Sequence, residues 1–296
     1  MSGQKMHANE VHTDVRLVAR MVAAQFPQWA SLPIEPVPSA GTDNALYRLG
    51  DDMVVRLPRI SWAVDTLDLE YEWLPRLAPH LPVAIPTPLG RGRPAEGFPW
   101  PWSVYRWLDG ENPAVDGLVD PGLLATELAE FIAALRRIDA TDGPPASRGR
   151  PLARRDAPTR AALDALDGMI DTDAATAAWD AALKVPEWPG GPVWLHGDLA
   201  PGNLLCVQSR LSAVIDFGCL GVGDPTCDLI VAWNLLPADS RNTFRTALQV
   251  DDATWNRARG CALSIALVQL PYYWETNPVL AASARHVIRE VLADAA

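Results

Sequence analysis

The order of apolar and polar residues gives the chain two textures. In Val11–Phe26, Val15, Val18, Ala19 and Val22 recur at the spacing of one helix face. After a Pro-rich connection, Ala45–Leu49 and Met53–Leu57 form two strands, with Gly50-Asp51-Asp52 as the turn of a hairpin. Residues 62–81 predict an amphipathic helix on which Leu67, Tyr71, Leu74 and Leu77 or Ala78 keep three- and four-residue spacing. Residues 87–113 predict another hairpin, ending in the apolar strand Trp102–Leu108. The first third is therefore an α+β module.

Beyond Gly110 the pattern turns helical. Pro121–Ile138 places Leu124, Leu128, Phe131, Ile132 and Leu135 toward a core. The stretch TDGPPASRGRPLARRD, residues 141–156, has the composition of a mobile segment. Ala-rich helices run on to about Lys184, short strands surround residues 193–216, and from Asp224 the pattern is helical to the end. No internal repeat is present. The expected division is a smaller mixed lobe over 1–109 and a larger helical lobe over 110–296.

With 49% hydrophobic and 21% charged residues, the composition is globular rather than disordered. A formal net charge of −11 argues against a nucleic-acid partner, which needs clustered positive charge. Residues 1–108 hold 11 acids and 10 bases, whereas residues 109–296 hold 25 and 15, so a cationic partner would meet the second half. Cys206, Cys219, Cys227 and Cys261 have no zinc spacing and fit small buried residues in a reducing compartment. The first residues lack an apolar signal core and no run of 18 apolar residues occurs, so a cytoplasmic protein without a membrane partner is expected.

The candidate chemistry lies in VWLHGDLAPGNLL, residues 193–205. Asp198 and Asn203 flank one turn there, and Asp216 follows 13 residues after Asn203 at the end of the apolar run Ala213–Ile215. Three oxygen donors can then converge, and hard oxygen donors suit magnesium held with substrate phosphates. Phosphoryl transfer uses an Asp that accepts the hydroxyl proton, an Asn and a second Asp on magnesium, and a cation on the upstream phosphates. The Asp-x4-Asn spacing and Asp216-Phe217-Gly218 match that signature.

The stretch 193–229 resembles the aminoglycoside phosphotransferase family, small-molecule kinases with a bilobal protein-kinase-like fold. The resemblance rests on His196-Gly197-Asp198-x4-Asn203 followed by Ile215-Asp216-Phe217, and weaker elements extend it over most of the chain. It implies Asp198 as the catalytic residue, Asn203 and Asp216 as magnesium ligands, and ATP as donor with GTP as the alternative. Gly41 and Asn44 correspond to the nucleotide-covering turn. Arg56, in MVVRLP, stands where the phosphate-pairing base is expected and where protein kinases carry Lys. Glu70 fits the helix glutamate that holds that base, with Glu72 as its close competitor; Glu70 lies seven residues before Leu77, as the family's pattern prefers. Arg106, Trp107 and Leu108 fit the segment whose backbone meets the adenine edge.

Arginine brings a permanent charge and a fork suited to phosphate oxygens, so Arg56 does not disable the site. His196 could act as acid or base, but a proton acceptor two positions on favours a structural role. Asp224 and Asp228 fit helix caps or supports of the loop around Asp216, and the aromatic stretch Tyr272–Trp274 fits core. The resemblance thus implies an O-phosphotransferase of a hydroxylated small molecule, with an aminoglycoside-like, cationic antibiotic as the expected acceptor. Macrolides, sugars and amino alcohols are the alternative acceptors. A nucleotide-binding pseudokinase and a protein kinase are the competing classes; the second lacks an Ala-Pro-Glu marker.

Overall fold

The computed structural model describes residues 10–38 and 43–295. Two compact units emerge. The first runs to Pro79 and takes in Ala84–Asp109 and Ala213–Gly218; the second comprises His80–Val83, Gly110–Ser212 and the chain from Cys219. The segment bearing Asp216 therefore groups with the first unit, although it lies far down the chain.

The first unit is built on a five-stranded antiparallel sheet of β1 (Ile34–Pro36), β2 (Asn44–Leu49), β3 (Met53–Pro58), β4 (Pro88–Gly92) and β5 (Trp102–Arg106), in the order β1-β2-β3-β5-β4. Helix α1 (Val15–Gln25) is capped by Asp14, whose carboxylate accepts the Leu17 amide at 2.7 Å. Its Val18, Met21 and Val22 join Ala45, Tyr47, Leu49, Met53, Val55, Leu57, Trp102 and Val104 in one apolar core. The strand residues in that core are alternate ones, as the pleat requires when one face of a sheet is buried. Helix α2 (Asp65–Leu77) is shorter than its sequence pattern, because 3₁₀ turns replace its ends at Ser61–Val64 and Ala78–His80.

The second unit is mainly helical: α3 (Pro121–Arg136), α4 (Asp156–Ala165), α5 (Thr172–Leu183), α6 (Val231–Asn234), α7 (Ala238–Ala247), α8 (Asp252–Tyr273) and α9 (Pro278–Ala295). Helix α8 buries Trp255, Ala258, Cys261, Ala262, Leu263, Ala266, Leu267 and Leu270, and α4, α5 and α9 pack on it. Two short ribbons interrupt the helices. β6 (Val193–Leu195) pairs antiparallel with β9 (Gly221–Gly223), and β7 (Leu204–Val207) with β8 (Arg210–Val214). The loop bearing Asp198 joins β6 to β7.

Three expectations need correction. Residues 141–156 are not loose: Ala146 is buried, and Ala146 N, Val222 N and Asp224 N tie the segment along β9 through Val222 O, Pro144 O and Gly149 O at 2.9, 2.7 and 3.1 Å. Glycines at 221 and 223 permit this approach, since a Cβ there would stand 2.6 Å from Ala146 Cα and 2.3 Å from Gly149 O. The aromatic stretch is not core; Tyr272 and Trp274 are exposed, and Trp274 lies 4.0 Å from the Arg285 guanidinium. All four cysteines are free, but only Cys227 and Cys261 are buried. Among the described residues, no helix is long and apolar enough to cross a membrane.

Candidate active site

In the first unit, alternation along β3 decides where Arg56 points. Val55 and Leu57 enter the core beside α1, so Arg56 emerges on the opposite face. There α2 supplies Glu70, which is fully buried. Arg56 Nη1 donates to Glu70 Oε1 at 2.7 Å and Oε2 at 3.0 Å, and Nη2 donates to Asp216 Oδ1 at 2.9 Å. The amide oxygen of Asn44 accepts from Arg56 Nε and Nη2, each at 3.0 Å, in the orientation its partners require. Burial alone would lower the Arg56 pKa, but the charges of Glu70 and Asp216 outweigh it and hold it above the ordinary arginine value.

Tyr105 completes the cluster by donating its hydroxyl to Glu70 Oε2. Arg56 stands opposite Ser103, so Tyr105, two residues on, is its diagonal neighbour on the same face. Burial and the adjacent Glu70 carboxylate push the Tyr105 phenol well above its usual pKa. Glu72 is exposed and bound to Arg76 instead, which decides between the two glutamates. Asp216 has φ 63°, a conformation costly for most side chains and tolerated best by Asn and Asp. Its Oδ2 makes no hydrogen bond among the described residues.

Of the three residues expected at the adenine edge, two have their amides occupied. Arg106 N donates to Thr87 O at 2.9 Å and Trp107 N to Asp52 O at 2.7 Å. The Leu108 amide makes no hydrogen bond among the described residues. Gly41 lies outside the described residues.

In the second unit, the chain must turn sharply after β6. Gly197 permits this at φ 82°, where a Cβ would sit 2.6 Å from Cys219 O. Asp228 then anchors the loop by accepting the His196 amide at 2.9 Å and the Gly197 amide at 2.7 Å. This carboxylate supports the segment that presents Asp198 rather than a helix end. Burial pushes its pKa above the usual carboxylate range, with neighbouring His196 and the two amides pulling the other way. Asp224 does cap, accepting the Thr226 amide at 2.9 Å. His196 is fully buried and its Nδ1 accepts the Asp198 amide at 3.1 Å, the structural role expected of it.

Asn203 Nδ2 donates to Asp198 O at 2.8 Å, closing the turn. Its amide nitrogen is thereby spent, and its oxygen is left as a donor for a cation. Two other asparagines hold the loop backbone: Asn234 Nδ2 reaches Leu199 O at 2.8 Å, and Asn112 Nδ2 reaches Gly202 O at 3.1 Å and Leu204 O at 2.8 Å. The Asp198 carboxylate stays one-third exposed, and its Oδ1 accepts from Arg148 Nη1.

Each unit thus assembles part of the predicted set: Asn44, Arg56, Glu70 and Asp216 in the first, Asp198 and Asn203 in the second. Sequence reasoning missed Tyr105, Asn112, Asn234 and Arg148. Tyr105 had a signal, the two-residue period from Ser103; the others belong to distant segments and had none. Among the described residues no group of three or more His, Cys, Asp or Glu is placed to hold a metal ion.

The phosphotransferase enzyme family, APH, matches residues 34–262, from β1 into α8. The chain belongs to this family. An aminoglycoside 3'-phosphotransferase of Escherichia coli is 26% identical over 206 residues, covering 65% of this chain and 73% of that protein. Wild-type aminoglycoside 2'-phosphotransferase-IIIa, solved as its GDP complex, has a TM-score of 0.77 at 20% identity, over 96% of this chain and 100% of that one. Apo macrolide 2'-phosphotransferase MphH of Brachybacterium faecium has a TM-score of 0.59 at 25% identity, over 94% and 98%. The fold is therefore the bilobal kinase-like fold of these phosphotransferases, and the chain is a nucleotide-using phosphotransferase with a hydroxyl group as acceptor.

Proposed function

We propose that this phosphotransferase moves the γ-phosphoryl group of ATP, bound with magnesium, to a hydroxyl of an aminoglycoside-like small molecule. The observation that carries the reading is the loop around Asp198, whose backbone four side chains hold while its carboxylate stays one-third exposed beside Arg148. A fixed carboxylate at hydrogen-bond reach of a hydroxyl is what proton abstraction in the transition state requires.

The first unit would bind the nucleotide. Arg56, aligned by Glu70 and Asn44, neutralises the α- and β-phosphates, Gly41 and Asn44 cover them, and the backbone of Arg106–Leu108 meets the base. The free Leu108 amide makes it the donor of that segment. The second unit would bind the acceptor and present Asp198. The hydroxyl oxygen attacks the γ-phosphorus, its proton passes to Asp198, and the bridging P–O bond breaks with its electron pair leaving on ADP. Asn203 and Asp216 would hold magnesium, which when bound neutralises the β- and γ-oxygens.

The acidic excess of residues 109–296 favours a cationic acceptor. The macrolide enzyme among the structural relatives makes a macrolide the second reading, and the GDP-bound relative keeps GTP as the alternative donor. Incubation with magnesium and ATP or GTP against a panel of hydroxylated antibiotics and metabolites, following nucleoside diphosphate release, decides among these. Acceptor-dependent release with an aminoglycoside supports the reading. Release only with a macrolide, sugar or amino alcohol replaces the acceptor, and nucleotide binding without release with any acceptor overturns catalysis.

A further inference from the structure

The stretch Gly197–Asn203 contains no cation. One nevertheless reaches it. Arg148, from the connection between α3 and α4, donates from Nη1 to Asp198 Oδ1 and, at 3.3 Å, to Gly197 O. This connection is clamped on both sides of Arg148, by the Ala146 amide on Val222 O and the Gly149 carbonyl under the Asp224 amide, at 2.9 and 3.1 Å. The guanidinium is held there by main chain, not by the reach of a long side chain from a free loop.

Among the described residues both hydrogen bonds of Arg148 run through Nη1. Nε and Nη2 remain available, and the side chain is 26% exposed. Burial pulls its pKa down, yet the charge of Asp198, with smaller effects of Cys219 and Cys227, keeps it above the ordinary arginine value. The cation is therefore permanent, oriented and only half used.

We propose that Arg148 is a further catalytic residue, an arginine finger supplied in cis that binds the γ-phosphoryl oxygens as they leave ADP for the acceptor. Phosphoryl transfer spreads negative charge over the equatorial oxygens, and a preorganised guanidinium beside the path stabilises that charge. As the acceptor's O–P bond forms and the bond to the ADP oxygen breaks, the hydroxyl proton neutralises Asp198. The attraction of Asp198 for Arg148 then falls while that of the phosphoryl oxygens rises. In the resting protein the same pair keeps Asp198 oriented.

The inference rests on the phosphotransferase reading above, and its test separates the two. Calorimetry measures the affinity for magnesium–ADP with and without aluminium fluoride, a mimic of the phosphoryl group in flight, for wild type, Arg148→Lys and Arg148→Ala. In wild type fluoride is expected to tighten binding. Arg148→Ala is expected to bind magnesium–ADP as wild type does yet lose about 10²–10³-fold of the tightening. Arg148→Lys, which keeps the charge without the fork, should fall between. If Arg148→Ala does not fold, Arg148→Lys carries the test, and tightening equal to wild type in the folded variant overturns the inference. Absence of tightening in wild type also overturns it. No magnesium–ADP binding by wild type overturns both readings.

Discussion

The guanidinium of Arg56 grips both carboxylate oxygens of Glu70, at 2.7 and 3.0 Å, in a buried setting where neither group reaches bulk water freely. Such a pair is costly to break from one side, because the survivor remains charged and buried.

Arg56→Ala is accordingly expected to destabilise the protein by about 3–5 kcal/mol, leaving Glu70 with Tyr105 as its remaining partner. The double variant Arg56→Met with Glu70→Leu should regain most of that loss in urea denaturation, since it removes both charges. It should not regain nucleotide affinity. Recovery of affinity together with stability would show that Arg56 serves the fold alone.

Asp228 is the second buried carboxylate with a defined task, holding the amides of His196 and Gly197. Asp228→Ala leaves both unsatisfied, at about 1–3 kcal/mol each. Asp228→Asn keeps one acceptor oxygen and should cost less. Turnover is expected to fall further than the stability loss explains, because the amides fix the approach to Asp198. Kinetics below the unfolding transition check this, and wild-type turnover in a destabilised Asp228→Ala would contradict it.

The cap of α8 sets a pH dependence. Asp251 accepts the Thr254 amide at 2.6 Å, and this bond holds its pKa below the usual carboxylate value. A depressed folded-state pKa gives stability that is present above the unfolded value of about 3.9 and is lost as pH falls through the folded one. Asp251→Ala should cost about 0.5–2 kcal/mol at neutral pH. The gap to wild type should close in acid. Thermal melts from pH 7 down to 2 measure it, and a gap constant with pH would refute the assignment.

Several features could be foreseen because their signals are local. The period of β3 puts Arg56 on the face away from the apolar core, and the resemblance to the family marks Glu70, seven residues before Leu77, as its partner. The turn His196–Asn203 announces itself by its own glycine, proline and amide. Arg148 gave no such warning: it sits in a Gly- and Pro-rich stretch with the composition of a mobile loop. What fixes that stretch is the absence of side chains on a distant strand, at Gly221 and Gly223. Likewise Asn112 and Asn234 meet the loop only through tertiary folding, which no periodicity records. The assignment of Ala213–Gly218 to the first unit is hidden for the same reason.

Asp198→Asn tests the central claim most directly, with nucleotide binding and acceptor-dependent ADP release measured on the same preparation. The substitution keeps shape and removes the proton acceptor, so turnover should fall by about 10²–10⁴-fold while magnesium–ATP binds as in wild type. Turnover equal to wild type would contradict the role given to Asp198 and, with it, the mechanism.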